Sequence, residues 1–388
     1  MEQISLIFNV IEAGLFFYLL ISALYLGVYA FFSLFPVKMH NLKSDSLNRF
    51  IVLIPAYKED KVIFDSVNSL LNQNFPQQFV TIAIISDGMS SETNTRLSEL
   101  PVINIVLEKS AGSKANALII ALEKFKQEDF EIAVIMDADN VAAEGFLSDI
   151  NALFSSGARA VQAHRTAKNL NTSMAVLDAV SEEINNSIFR KGHVNLGVSS
   201  ALIGSGMAFD FKWFSAHVKM LSTAGEDKEL ELMLLRKKIF IHYLENTYVY
   251  DEKTQKEKVF YNQRRRWIAA QFGSLMAALK QIPEAVVSVN IGFLDKIFQW
   301  LLLPRIIMLG LTGILAVIVS VFNYESSFKW WLLLAGIVLT LVISIPSFLR
   351  NKRTLMAIGR LPCIFLLMVL NLFRIRGVNS KFIHTEKG

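Results

Sequence analysis

An α/β fold with a mostly parallel central sheet, held against a membrane by flanking helices, is what the sequence predicts. Three observations carry that expectation. Short, β-branched apolar runs alternate with helix-like stretches between about residues 48 and 285. Long apolar runs without charge flank this region on both sides. Acidic and basic residues gather where the short runs end instead of being spread evenly. The chain has 388 residues, of which 53% are hydrophobic and 19% charged, and its mean hydropathy is positive, more apolar than an ordinary soluble protein. The single Cys363 excludes an internal disulfide framework and a thiolate metal cluster.

The expected strands are Phe50–Ile54, Val80–Ile85, Ile103–Leu107, Glu131–Met136 and Ala160–Ala163. Lys61–Leu71, Ser113–Phe125 and Ala142–Phe154 read as the helices between them. Strands that are apolar along their whole length are buried on both faces, which is the habit of parallel sheets covered by helices. Ligands of such sheets bind beyond the carboxyl ends of the strands.

Ala13–Phe35 carries no charge and is long enough to span a bilayer. Its start, Met1-Glu2, lacks the basic residues of a signal peptide, and no small-residue cleavage site follows, so a retained helix is expected. Ile306–Phe322 and Trp330–Leu349 read as a transmembrane hairpin, with a short loop carrying Glu325 between them. Lys38 and Lys43 after the first span, and Arg350, Lys352 and Arg353 after the last, put the central region on the cytosolic side. Ile291–Leu303 and Leu361–Leu370 read as interfacial helices. The expected division is residues 1–47 for the first membrane helix and linker, 48–285 for a cytosolic domain, and 286–388 for the interfacial helices, hairpin and basic tail. The net charge of +5 and the basic clusters Arg264–Arg266, Arg350–Arg353 and Arg374–Lys387 suit anionic lipid or nucleotide phosphates. No nucleic-acid motif is present, and nucleic acid is not expected as a partner.

Several groups of residues could carry chemistry. Asp137 and Asp139, at a strand end, are spaced so that extended backbone would turn both carboxylates to one side. Hard oxygens of that kind suit Mg²⁺ or Mn²⁺; a solvated turn is the plainer reading. Lys114 follows the small-residue turn Ala111-Gly112-Ser113 at a helix start, where phosphate can be met by backbone N–H groups and a point charge, though a surface lysine would look the same. Glu226 and Asp227 begin a helix whose dipole favours their ionised forms; a base or an ordinary cap fits equally. Gly204-Ser205-Gly206-Met207-Ala208-Phe209 is either a turn or a place where a sugar comes close to backbone. Gln263-Arg264-Arg265-Arg266-Trp267 joins phosphate-binding charge to an aromatic face.

In order along the chain stand Tyr57 and Glu59, Asp87, Lys114, Asp137/Asp139, Glu226/Asp227 and Gln263/Arg266/Trp267. Over roughly residues 48 to 285 this pattern resembles the membrane-bound family 2 glycosyltransferases, the group of cellulose, chitin and hyaluronan synthases. The resemblance implies a GT-A type nucleotide-sugar-binding domain and an inverting hexosyltransferase. It gives Tyr57, Glu59 and Asp87 to the uridine of a UDP-sugar and Lys114 to its diphosphate. Asp139, with Asp137, would position Mg²⁺ or Mn²⁺ and the donor sugar. Asp227, with Glu226 beside it, would be the base, and Gln263, Arg266 and Trp267 would lie against the diphosphate and the acceptor sugar. Gly204, Ser205 and Gly206 would flank the acceptor, and the tail Phe382–Lys387 would pack back near the site.

The resemblance implies a multi-pass protein of the cell membrane that extends a polysaccharide processively. Transfer of one sugar to a lipid (ceramide, diacylglycerol or polyprenyl phosphate) is the alternative, because Q-x-x-R-W is shared with lipid-glycosylating relatives. Fewer expected membrane helices than the larger synthases carry, and Lys228 after the acidic pair where the cellulose synthases prefer a small residue, are the departures from the pattern. A catalytically inactive scaffold is the reading from another class, although every site position holds a competent residue. Donor sugar, linkage, a homo-oligomer and any secretion partner are left open by the sequence.

Overall fold

Alternate residues of the first strand serve two different cores. The computed structural model describes residues 2–38, 46–223, 225–255 and 257–373; Lys43, the basic stretch from Arg374 and the tail Phe382–Lys387 lie outside the described residues. Strand β1 (Phe50–Tyr57) sends Phe50, Val52 and Ile54 into a cluster with Ile63, Val67 and Leu70 of the helix Ile63–Leu71. Ile51 and Leu53 enter a second cluster with Leu118, Ala121 and Leu122 of the helix Lys114–Lys124. Two buried faces explain why the run has no polar alternation.

The other strands are β2 (Val80–Asp87), β3 (Ile103–Val106), β4 (Ile132–Ile135), β5 (Val141–Ala142), β6 (Ala160–Ala167), β7 (Met207–Asp210) and β8 (Ile241–Asp251). They form one eight-stranded sheet in the order β3-β2-β1-β4-β7-β6-β8-β5. β1 is parallel to β2 and β4, β2 to β3, and β6 to β8; β7 and the short β5 run against their neighbours. This is the mostly parallel, GT-A-like α/β arrangement expected.

Three local expectations need correction. Met207–Phe209, read as part of a turn or open segment, is strand β7, paired on both sides. The run is short and follows Gly206, so no alternation marks it. Val141–Ala142 is a strand and the helix starts only at Phe146. Glu325 is not in a loop. Asn323 is the helix cap, its side chain accepting from the Ser326 N–H at 3.0 Å, and Glu325 sits in the first turn of the helix Tyr324–Ile343. A carboxylate is favoured there by the helix dipole.

Three helices are long and apolar enough to cross a membrane: Asn9–Phe32, Arg305–Phe322 and Tyr324–Ile343. The pair Lys352–Ile358 and Leu361–Leu372, bent by 52°, makes a fourth candidate if taken as one span. Their outward residues, such as Phe17, Leu24, Val321, Leu332 and Leu339, are exposed apolar side chains of the kind that face lipid. At one end of the bundle Glu12 pairs with Lys329 at 2.9 Å and accepts from Trp330 Nε1 at 2.6 Å. At the other, Arg305 donates to Asn185 Oδ1, Ser187 to the Ser344 carbonyl, and Asn195 to the Phe32 carbonyl. The α/β domain therefore attaches at the end where the first helix leaves and the hairpin begins and returns.

The helix Ile291–Leu301 departs from the interfacial picture. Lys296 and Gln299 are buried, and Lys296 pairs with Glu231 at 2.8 Å. Asp295 accepts from Tyr25 and Tyr29 of the first helix at 2.9 and 2.8 Å. Its polar residues serve buried pairs between helices and are not a water-facing stripe.

Candidate active site

The chain ends of β1, β2 and β4 open into one cavity of about 920 Å³. Tyr57, Glu59, Asp87, Lys114, Asp137, Asp139, Gly204, Glu226, Asp227, Gln263, Arg266 and Trp267 all line it. Residues far apart in sequence are thus brought together as expected.

At the end of β1, Lys58 turns with φ of 56° and its N–H donates to the Asp87 carbonyl at 3.0 Å. Gly88, with φ of 67°, makes the matching turn after β2. Asp87 is buried, and its Oδ2 accepts from Ser110 Oγ at 2.9 Å and from the Ala111 N–H at 3.0 Å. It thereby ties down the turn that leads into Lys114.

Lys114 begins its helix, which Ser113 caps by accepting from the Asn116 N–H. The ammonium reaches Asp137 Oδ1 at 2.6 Å, the Gly204 carbonyl at 2.6 Å and Glu226 Oε1 at 3.1 Å. Those contacts occupy its three donors. Burial pulls the Lys114 pKa down, but Asp137 and Glu226 outweigh it and the net shift is upward. The expected diphosphate contact is thus not free in this structure: Lys114 cross-links three segments of the site instead.

Asp137 and Asp139 share the cavity, though not through extended backbone. β4 stops at Ile135, and the Asn140 N–H donates to the Asp137 carbonyl at 3.1 Å, closing a turn. Asp139 is buried in the cavity wall. Among the described residues no group of three or more His, Cys, Asp or Glu is placed to hold a metal. Of the three small residues, only Gly204 lines the cavity. Ser205 is fully buried, its Oγ accepting from the Asp137 N–H at 2.9 Å and from Asn140 Nδ2 at 3.0 Å. A Cβ on Gly206, whose φ is 64°, would lie 3.0 Å from Val249 Cγ2. Ser205 and Gly206 brace the acidic turn from behind instead of flanking a ligand.

Glu226 and Asp227 open the helix Glu226–Arg236 and differ in surroundings. Glu226 is buried; burial first, then Asp227 and Asp137, push its carboxyl above the usual range against the pull of Lys114. Asp227 is half-buried in the cavity wall, with Oδ1 accepting from the Lys228 N–H at 2.9 Å. Of the pair, Glu226 is committed to Lys114 and Asp227 is the carboxylate left half-open to the cavity.

The helix Glu257–Leu279 places Gln263, Arg266 and Trp267 at i, i+3 and i+4, one face of a helix. Gln263 Oε1 is buried with no hydrogen-bond partner. Arg264 pairs with Asp178 at 2.5 Å and lies 4.5 Å over the Trp267 ring, holding that ring in place. Arg265 does not line the cavity.

Sequence reading missed Arg165, Arg190 and Arg305, which also line it. Arg165 and Arg190 share the buried Glu182, at 3.1 and 3.0 Å. The available signal was charge where little is expected: Arg165 just beyond the short run Ala160–Ala163, and Arg305 at the start of an apolar span.

A wide cavity beyond parallel strand ends, with acidic residues on one wall and a basic-aromatic helix on another, defines a GT-A-like glycosyltransferase domain. Residues 48–270 match the family model described as Glycosyltransferase like family 2, and the chain belongs to that family. No curated protein matches. Among solved structures, the mannosyltransferase PcManGT from Pyrobaculum calidifontis, in complex with GDP-Man and Mn2+, is similar at 14% identity and a TM-score of 0.49, over 84% of this chain and 98% of that one. TarS 1–349 of S. aureus is similar at 16% identity and a TM-score of 0.40, over 85% of this chain and 90% of that one, and the same holds for its complex with UDP-GlcNAc.

Proposed function

We propose that the protein is a membrane-embedded, inverting β-glycosyltransferase that moves one sugar from a nucleotide sugar to the hydroxyl of a lipid acceptor. The observation that carries the acceptor is the continuity of the cavity. From Asp227 and Trp267 it runs on between the membrane helices, past Leu177, Ile306, Leu309, Leu341 and Ile364. An aliphatic lining of that kind suits a lipid chain; it offers a hydrated polysaccharide no hydrogen bonds. The full motif set, with Trp267 in the cavity wall, favours a sugar acceptor and hence the polysaccharide reading.

In this reading the domain of residues 48–285 is cytosolic, between membrane parts 1–47 and 286–388. Lys38, Arg350, Lys352 and Arg353 lie on its side of the bundle, as the positive-inside rule requires. Tyr57, Glu59 and Asp87 meet the nucleoside, and Gln263 and Arg266 meet the diphosphate. Asp137 and Asp139 fit a Mg²⁺ or Mn²⁺ ion: two hard carboxylates are few for a protein-only cage but enough for an ion that shares phosphate oxygens. Such an ion, when bound, neutralises charge on the leaving diphosphate. Asp227 accepts the proton of the acceptor hydroxyl as its oxygen bonds to the anomeric carbon. The bond to the diphosphate breaks on the opposite face, its electrons leave with the diphosphate, and Arg266 stabilises that charge. One displacement inverts the carbon, so an α-linked donor gives a β-glycoside.

The test incubates the purified full chain with labelled UDP- and GDP-sugars, Mg²⁺ or Mn²⁺ and mixed membrane lipid, then sizes the product. A single labelled glycolipid is expected. A long polymer would replace the lipid acceptor by a polysaccharide, and absence of nucleotide release with every common donor would overturn the enzyme.

A further inference from the structure

Where the cavity passes from polar to aliphatic lining, it meets an arginine without a counter-charge. Arg305 starts the helix Arg305–Phe322 and lines the cavity beside Ile306 and Leu309. Its partners are neutral: Nη2 donates to Asn185 Oδ1 at 2.8 Å and to the Ser181 carbonyl at 3.1 Å, and the guanidinium lies 5.9 Å from the centre of the Phe189 ring. Nη1 is buried and has no hydrogen-bond partner.

The carboxylates behind this part of the wall are already engaged. Glu182 is shared by Arg165 and Arg190, Asp178 holds Arg264, and Asp251 holds Lys253 at 2.8 Å. Glu183 is taken up by His164, Thr166 and Asn186. Among the described residues no carboxylate lies within ion-pair distance of Arg305. A half-buried cation at the edge of a hydrocarbon lining is costly unless an anion joins it. The same lining includes the aliphatic Leu177, Val180, Ile184 and Leu309. A ligand that satisfies both halves has an apolar chain and an anionic head.

We propose that Arg305 is the headgroup clamp of a lipid-borne phosphate, whose chain lies in the aliphatic arm of the cavity. The inference rests on the lipid-acceptor reading and narrows it: a neutral diacylglycerol or ceramide would leave Arg305 without its anion. The phosphate arrives either within a phospholipid, whose free hydroxyl is then the acceptor facing Asp227, or as the end of a polyprenyl chain, whose phosphate oxygen then replaces the hydroxyl as nucleophile and needs no base. With Nη2 held by Asn185 and Ser181, the guanidinium meets the phosphate chiefly through its charge.

The experiment equilibrates the full chain in nanodiscs with equal amounts of phosphatidylglycerol, polyprenyl phosphate and diacylglycerol, without nucleotide sugar. Native mass spectrometry then reads the retained lipid, and which phosphate lipid is kept identifies the source. Wild type should retain a phosphate lipid over diacylglycerol by about tenfold or more, the value of one lost charge-assisted contact set. Arg305→Ala should bring that ratio near unity, and Arg305→Lys should keep most of it; circular dichroism and thermal melting check that each variant folds. Equal retention of diacylglycerol by wild type, or an Arg305→Ala protein indistinguishable from wild type, would overturn the site. If Arg305→Ala does not fold, the wild-type ratio and Arg305→Lys decide alone. Sugar transfer to lipids without preference for phosphate overturns this inference and leaves the glycosyltransferase standing. Arg305-dependent retention with no transfer to any lipid leaves the phosphate site and removes the acceptor reading.

Discussion

Asp227 and Glu226 are neighbours with different duties because one lysine can neutralise only one of them closely. Lys114 stands 3.1 Å from Glu226, and that leaves Asp227 as the carboxylate half-open to the cavity. Asp227→Asn keeps the size and removes the proposed proton acceptor. It should lower the rate of transfer by about 100- to 10,000-fold, with nucleotide-sugar affinity by calorimetry much less affected; a drop under tenfold would assign the proton elsewhere. A second residue-scale outcome concerns pH. Burial opposes ionisation of Glu182, but Arg165 and Arg190 outweigh it, and its pKa is held below the usual carboxylate range. A carboxylate depressed on folding contributes stability above its unfolded pKa of about 4.3 and loses it as pH falls further. Melting temperature should therefore fall more steeply below about pH 4 in wild type than in Glu182→Gln, compared over the same acid range. Equal slopes would show the two arginines do not stabilise the ionised form.

At the scale of elements, the strands legible in the sequence are β1, β2 and β4, the edge strand β3 and the first half of β6. β1 and β4 are apolar almost throughout, and β2 up to Ile85 apart from Thr81, because helices cover each side, and their pattern appears in sequence as β-branched runs. Leu53, fully buried at the centre of β1, is the matching stability probe. Leu53→Ala should cost about 2–5 kcal/mol, seen as a lower melting temperature; a change of much less than 1 kcal/mol would mean the two-sided core collapses freely around the gap. β7, β5 and β8 were not legible. β7 and β5 are short, and their strand character comes from partners distant in sequence: β4 and β6 on either side of β7, and β8 beside β5. β8 is long, but His242, Glu245 and Asn246 interrupt its apolar residues, and its pairing with the distant β6 makes it a strand. The helix carrying Gln263, Arg266 and Trp267 shows the converse. Its spacing was readable, but only packing against Asp178 showed that Arg264 braces the face and does not extend it.

Over the whole molecule, the decisive feature is a cavity shared between the α/β domain and the candidate membrane-spanning helices. Leu309 lines its aliphatic arm. Leu309→Trp should fill part of that arm and raise the KM for a lipid acceptor by about tenfold or more, with nucleotide-sugar affinity, set at the strand ends, as the internal control. An unchanged lipid KM would place the acceptor outside the arm. The order of motifs, the family and the apolar spans were determined by the sequence alone, because local periodicity and residue chemistry survive without coordinates. Three things were decided only by tertiary structure. Lys114 serves Asp137, Gly204 and Glu226; Ser205 and Gly206 stand behind the acidic turn; and Arg305 lacks an anion beside an aliphatic arm. Each depends on which distant groups come within hydrogen-bond reach, and on how little water lies between them, quantities that no stretch of sequence contains by itself.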